Sequence, residues 1–172
     1  MPTTYVRRPL RTTAVGLAMI LISALLVLAT PWHPATAHAL VAAPSGKDPA
    51  KFAKRVRYLI NQERIKHGVG KVRGGSCIHN YATHWGNHLA ADNAWYHSDL
   101  YNLLGKCNMH AAAENLVFYP DGMTPRQVVK LWMNSAGHRE NLLNGTYKRT
   151  GLYFVWDADQ GMWYGVQEFG LH

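Results

Sequence analysis

The chain has 172 residues, a length that indicates one domain, and a formal net charge of +8. Its basic residues are scattered rather than clustered, which argues against nucleic-acid binding because that needs a focused basic patch. A loose association with anionic cell-wall polymers or membrane surfaces is the milder expectation. The two cysteines form no CxxC pair, which argues against a cysteine-only zinc site.

The first 39 residues have the layout of a secretory signal peptide. Arg7, Arg8 and Arg11 form a basic start, residues 14–29 are an uncharged apolar run, and Ala37-His38-Ala39 is a small-x-small cleavage signal. The run is shorter than the roughly 20 residues of a membrane span. We therefore predict a secreted, extracellular protein exported by the general secretory route, rather than by the twin-arginine route. The alternative is an uncleaved segment that anchors the chain in the membrane.

The folded domain is predicted to span residues 48–172, after a short linker at 40–47. Asp48 and Pro49 are typical of a helix start. Apolar residues then recur at helical spacing as far as Gly68, which predicts an amphipathic helix. Five basic residues of this helix are expected on a solvated face: Lys51, Lys54, Arg55, Arg57 and Arg64.

A second helix is predicted from about Ser76 to Ala94, followed by a mixed, loop-rich stretch. Thr124 and Gln127 form a capping box that starts a third helix, and a short helix follows near residues 134–144.

Two segments rich in β-branched and aromatic residues, "GLYFVW" and "MWYGVQEF", are joined by "DADQG" and predict a hairpin. Helices first and a hairpin last indicate an α+β domain built in layers.

Cys77 and Cys107 are an even pair in an exported chain, which predicts a disulfide. The bond would close a 30-residue separation and stabilise the fold by about 3 kcal/mol in the chain-entropy model.

Two histidines and one carboxylate are the candidates for chemistry. His97 and His138 are each interpreted as following a helical segment, and Glu114 precedes an apolar run that would partly bury it. Such a trio can hold a divalent metal with an open position, or act as acid and base without metal. His84 and His88 also have chelating spacing, but they lie opposite the apolar face of their helix and lack a third ligand.

Five segments occur in an order that resembles the CAP superfamily, or SCP domain, of cysteine-rich secretory, antigen-five and pathogenesis-related proteins. These segments are "WYHSDL", "AENLVF", "VVKLWMNSAGHRENLLN", "TGLYF" and "WYGVQEFG". The exported bacterial branch is the most similar. The resemblance covers roughly residues 52–170 and implies an α-β-α sandwich with a small antiparallel sheet between helical layers.

The resemblance also implies a polar cleft, and its motifs carry over to His97, Glu114 and His138. A second glutamate of the family would fall near Ser135, where this chain has no carboxylate. Gln167 matches a glutamine of the terminal motif and is expected to line the same cleft.

Three functions remain open on this basis. The resemblance favours an extracellular, monomeric binding module for a lipid, glycan or peptide. A divalent cation such as zinc is optional and would be bound by His97 and His138. The second is a zinc hydrolase that uses His97, Glu114 and His138. The third is a buried polar cluster that holds loops together. Because the second glutamate is missing near Ser135, the binding module is favoured over the hydrolase.

Overall fold

The computed structural model describes residues 48–172. The predicted signal peptide at 1–39 and linker at 40–47 lie outside these described residues. The elements in chain order are α1 Pro49–Lys66, β1 Arg73–Gly74, α2 Ser76–Ala91, α3 Leu100–Cys107, β2 Ala111–Pro120, α4 Pro125–Asn134, α5 Ala136–Leu143, β3 Arg149–Asp157 and β4 Met162–Leu171.

The four strands form one sheet in the order β1-β3-β4-β2. The predicted hairpin is confirmed, because β3 pairs with β4 in antiparallel fashion, and β2 pairs antiparallel to the other side of β4. One detail differs from the expectation of an antiparallel sheet. The two-residue β1 pairs in parallel with β3 and makes the sheet mixed.

Helices cover both faces of this sheet, which confirms the α+β sandwich. On one face, α1, α4 and α5 bury an apolar cluster that includes Val56, Trp132 and Leu142. Trp132 is fully buried and its indole N–H donates to the carbonyl of Leu116 at 3.0 Å. On the other face, α2 lies so close that a side chain at Gly151 would collide with its backbone.

The stretch predicted to be loop-rich contains two regular elements, α3 and β2. Asp99 caps α3 through its side chain, which accepts from the amides of Tyr101 and Asn102. The following strand begins with three alanines, which give neither the alternation nor the β-branched content that marks a strand. The second helix is also shorter than predicted, because α2 ends at Ala91.

Arg64 contradicts the expectation of a solvated basic face on α1. Its side chain is fully buried, and its guanidinium donates to the carbonyls of Gly70, Leu142 and Tyr147 at 2.7, 2.6 and 3.1 Å. A planar fork of five donors can satisfy several carbonyls at once. Arg64 therefore ties α1 to the end of α5 and the loops beside it.

The predicted disulfide between Cys77 and Cys107 is confirmed and links α2 to α3. Within residues 48–172, no helix is both long and apolar enough to cross a bilayer.

Candidate functional site

His97 and Glu114 form a hydrogen-bonded pair at the surface of the α2 and α3 layer. His97 lies in the loop between these helices, and its Nδ1–H donates to Oε1 of Glu114 at 2.6 Å. The imidazole is 65% exposed, whereas the glutamate side chain is 1% exposed. A carboxylate at Nδ1 fixes the imidazole tautomer and leaves Nε2 as an acceptor. The pair therefore presents an oriented imidazole to the solvent.

A second carboxyl lies directly beneath this pair. Glu168 of β4 is the register partner of Glu114 of β2, so both side chains point to the same face of the sheet. Ser98 connects them, because its N–H donates to Glu114 Oε1 at 3.0 Å and its hydroxyl to Glu168 Oε1 at 3.1 Å. The site thus has two glutamates, and the second comes from the sheet rather than from the segment around Ser135.

A proton shared by the two carboxyl groups would provide a partner for the remaining oxygen of each. Oε2 of Glu114 and Oε2 of Glu168 are both buried, and no N–H or O–H of the described residues reaches either one. Burial, and then the negative charge of Glu114, raise the pKa of Glu168 well above its usual range. The raised pKa favours the neutral form of Glu168, which can donate a hydrogen bond to Glu114.

His138 lies on α5, the short helix predicted after the third helix, and it follows the end of α4. Its Nδ1 is buried and has no hydrogen-bond partner among the described residues. Burial, and then charge repulsion from His97 when that imidazole is protonated, lower the pKa of His138. The lowered pKa favours the neutral form of His138.

An amide network on the opposite face of the sheet holds α5 in place. Asn115 donates to the carbonyl of His138 at 3.2 Å and accepts from Asn141 at 3.0 Å. Asn141 also donates to the carbonyl of Glu114 at 3.1 Å. These bonds position the backbone on both sides of the site.

Gln167 belongs to this network and does not line the cleft, which corrects the expectation from the sequence. It is fully buried, with bonds to Asn115 at 3.4 Å and to Thr150 at 3.3 Å. Side chains alternate along a strand, so Glu168 is the residue that reaches the His97 face. That alternation, applied to the predicted hairpin, is the signal that would have identified Glu168. Ser135 is half-buried at the junction of α4 and α5.

Glu114 is engaged by its neighbours in the site. Its Oε1 accepts hydrogen bonds from His97 and Ser98, and its Oε2 is buried without a partner among the described residues. In the part of the chain that the structure describes, no three or more His, Cys, Asp or Glu side chains are grouped so that they could hold a metal.

A cavity of about 320 Å³ opens beside His97 between α2 and α3. Three aromatic side chains and several polar ones line it; they are Tyr81, Trp85, Tyr96, His84, His97, Ser98, Asp99, Asn102 and Lys106. The Trp85 and Tyr96 rings pack edge to face with centroids 5.2 Å apart. The cavity therefore combines apolar ring faces with hydrogen-bonding groups at one exposed imidazole.

Several solved bacterial proteins share the fold of this chain, at sequence identities that show the fold alone. An outer surface protein of Borrelia burgdorferi superposes with a TM-score of 0.66 at 20% identity, over 73% of this chain and 96% of the other. A cysteine-rich secretory protein of Staphylococcus aureus superposes with a TM-score of 0.63 at 19% identity, over 76% of this chain and 42% of the other. An extracellular SCP-domain protein of Bacillus anthracis superposes with a TM-score of 0.60 at 21% identity, over 76% of this chain and 45% of the other.

The curated relatives are two Bacillus subtilis proteins. The uncharacterized protein YkwD is 30% identical over 133 residues, which are 71% of this chain and 50% of YkwD. The uncharacterized membrane protein YlbC is 31% identical over 107 residues, 58% of this chain and 30% of YlbC. The chain thus spans half or less of the length of these relatives. The sequence model of the cysteine-rich secretory protein family, CAP, matches residues 57–169, and the chain belongs to that family.

Proposed function

We propose that this CAP domain is an extracellular binding module and that its ligand is a glycan held in the cavity beside His97. The observation that carries the proposal is the lining of that cavity, where Tyr81, Trp85 and Tyr96 lie beside Asp99 and other polar side chains. A sugar ring has apolar C–H faces that pack on aromatic rings and hydroxyls that need hydrogen-bonding partners. Both requirements are met in this one cavity.

An exposed acceptor at the cavity favours a glycan over a lipid. The His97 imidazole is 65% exposed, and its Nε2 is left free to accept. A sugar hydroxyl can donate to this nitrogen, whereas an acyl chain cannot. The volume of about 320 Å³ suits one or two sugar rings better than an extended peptide.

A binding module is favoured over a zinc hydrolase because Glu114 is already engaged. It would have to release His97, Ser98 and the proton of Glu168 before serving as a ligand or base. We expect calorimetric zinc titration near neutral pH to give the same weak isotherm for the wild type and for His97→Ala/His138→Ala. Tight zinc binding that the double substitution abolishes would restore the metal alternative.

Export is part of the proposal. It rests on the predicted signal peptide at 1–39 and on the Cys77–Cys107 disulfide, a bond that forms and persists in oxidising compartments. Amino-terminal sequencing of protein collected outside the producing cell is expected to begin at Leu40. Recovery of the protein only from membranes, with Met1 or Pro2 at its start, would favour the uncleaved anchor.

Two tyrosines provide a matched test of the glycan site. Tyr96 lines the cavity, whereas Tyr101 is 86% exposed on α3 and is not among its lining residues. We expect the N-acetylglucosamine–N-acetylmuramic acid disaccharide to quench tryptophan fluorescence at saturable concentrations. Tyr96→Ala should raise the dissociation constant about tenfold, since an aromatic contact contributes ~1 kcal/mol or more. Tyr101→Ala should leave it unchanged.

Three outcomes would contradict the glycan proposal. They are an absence of saturable binding by the wild type, an equal weakening by Tyr96→Ala and Tyr101→Ala, and tighter binding of oleate than of the disaccharide in competition for the cavity. The last result would favour a lipid ligand.

A further inference from the structure

A second cavity, of about 440 Å³, lies away from His97 where α1, β3 and the turn between β1 and α2 meet. Its lining includes Lys54 and Arg57 from α1 and the run Gly74, Gly75 and Ser76. It is lined by none of the aromatic residues that mark the first cavity. No described residue in its wall is acidic.

The cations of this cavity have no counter-charge among residues 48–172. Lys54 and Arg57 make no hydrogen bond or ion pair with any described residue. Arg57 is nevertheless only half-exposed, and its guanidinium lies across Gly74 in the space that a Cβ there would fill. Asp48, at the start of α1, is bonded to the first-turn amides of that helix and lies 3.6 Å from Lys51.

Further positive groups lie next to residues of the cavity wall, outside the lining itself. Arg149 donates to the carbonyl of Gly74 at 3.4 Å, and Arg73 is its register partner between β1 and β3. The start of α2 adds a smaller contribution, since Gly75 provides no side-chain cap for the first amides of the helix. A half-buried guanidinium, an ammonium and free amides together match the three acceptor oxygens of a phosphate group.

We propose that this cavity is a binding site for a phosphate group, separate from the glycan cavity. The unpaired cations Lys54 and Arg57 and the acid-free wall carry the proposal, and it stands whether or not the first cavity binds a glycan. The domain is weakly basic, and this proposal assigns part of that charge to one site. The site binds a single phosphate group, rather than a polyanion along the whole surface.

The test uses two double variants with the same change in charge on the same helix. Lys54→Gln/Arg57→Gln removes the cations of the cavity, and Lys51→Gln/Arg55→Gln removes two outside it. Titration of the protein with inorganic phosphate, followed by amide NMR shifts, is expected to move the resonances of Gly74, Gly75 and Ser76. The affinity should fall at least about tenfold in the first variant only, since hydrogen bonds to charged groups contribute ~1.5 kcal/mol or more each.

Two results would overturn the proposal: no saturable shift at these glycines, or the same loss of affinity in both double variants. The second would mean that net charge alone attracts phosphate. All four positions lie on the exposed or half-exposed side of α1, and thermal unfolding checks that each variant is folded.

The source of the phosphate is resolved by a parallel arm with vesicles. Retention on phosphatidylglycerol vesicles, but not on phosphatidylcholine vesicles, that is lost only in Lys54→Gln/Arg57→Gln would identify a lipid headgroup. Saturable binding of inorganic phosphate without vesicle retention would identify a soluble phosphate. Both support the site, and the disaccharide affinity of the first cavity is expected to be unchanged in either case.

Discussion

The two faces of the sheet differ sharply at one pair of neighbouring positions. On the α5 face, Asn115 and Gln167 are register partners whose amides bond to each other, to Asn141 and to Thr150. On the His97 face, Glu114 and Glu168 are register partners, and each has one buried oxygen without a partner among the described residues. The neutral, bonded pair holds the fold together. The acidic pair is costly to bury, and such costs are usually retained at functional sites.

Removing the amide pair should give the largest effect on stability. Asn115→Ala would leave Asn141 and Gln167 without their buried partner, and we expect a loss of about 2–3 kcal/mol in the free energy of unfolding. Urea denaturation measures it. Asn134→Ala, at an exposed position without a bonded partner, is the control and should change stability by less than about 0.5 kcal/mol. Equal losses would mean that the amide network is not a structural anchor.

Replacing Glu168 should increase the free energy of unfolding, whereas Asn115→Ala should decrease it. Because the pKa of Glu168 is raised in the folded protein, its contribution to stability is fully present below the unfolded pKa of about 4.3. That contribution is lost as the pH rises through the folded pKa. Glu168→Gln supplies a permanent donor to Glu114, so the variant should gain stability relative to the wild type as the pH rises above about 4.3. A constant difference across this range would contradict the shared proton.

Replacing His138 should have the smallest effect on stability, and the direction of its pH dependence is defined. Its pKa is lowered in the folded protein, so its contribution to stability is present above the unfolded pKa of about 6.5. It is lost as the pH falls through the folded pKa. His138→Gln should therefore lose less stability than the wild type between neutral and mildly acidic pH, as measured by thermal unfolding. An identical pH dependence would mean that His138 is not buried as described.

Sequence patterns predicted the parts of the fold whose own periodicity defines them. Apolar spacing and the Asp48 cap predicted α1, and two β-rich runs predicted the hairpin. Of the missed elements, β2 begins with three alanines and lacks a strand pattern, whereas α3 is short but has apolar residues at helical spacing after the Asp99 cap, a signal that could have identified it. Arg64 departed from the predicted solvated face because its partners lie up to 83 residues away in the chain.

The candidate site was predicted only in part for the same reason. Motifs carried over to His97, Glu114 and His138, but the match of the last strand to its motif drew attention to Gln167. Glu168, one residue further, lies on the site face only because of the register between β2 and β4. Register depends on pairing across the sheet, which no short motif encodes.

The central claim is that Glu168 retains a proton because it is buried beside Glu114, the carboxyl group that is bonded to His97. A carboxyl ¹³C NMR titration of the two glutamates tests it most directly. The predicted result is that Glu168 titrates well above the usual glutamate pKa of about 4.3, and that Glu114→Gln lowers its titration midpoint. Two independent titrations near that usual value, unchanged by Glu114→Gln, would contradict the claim.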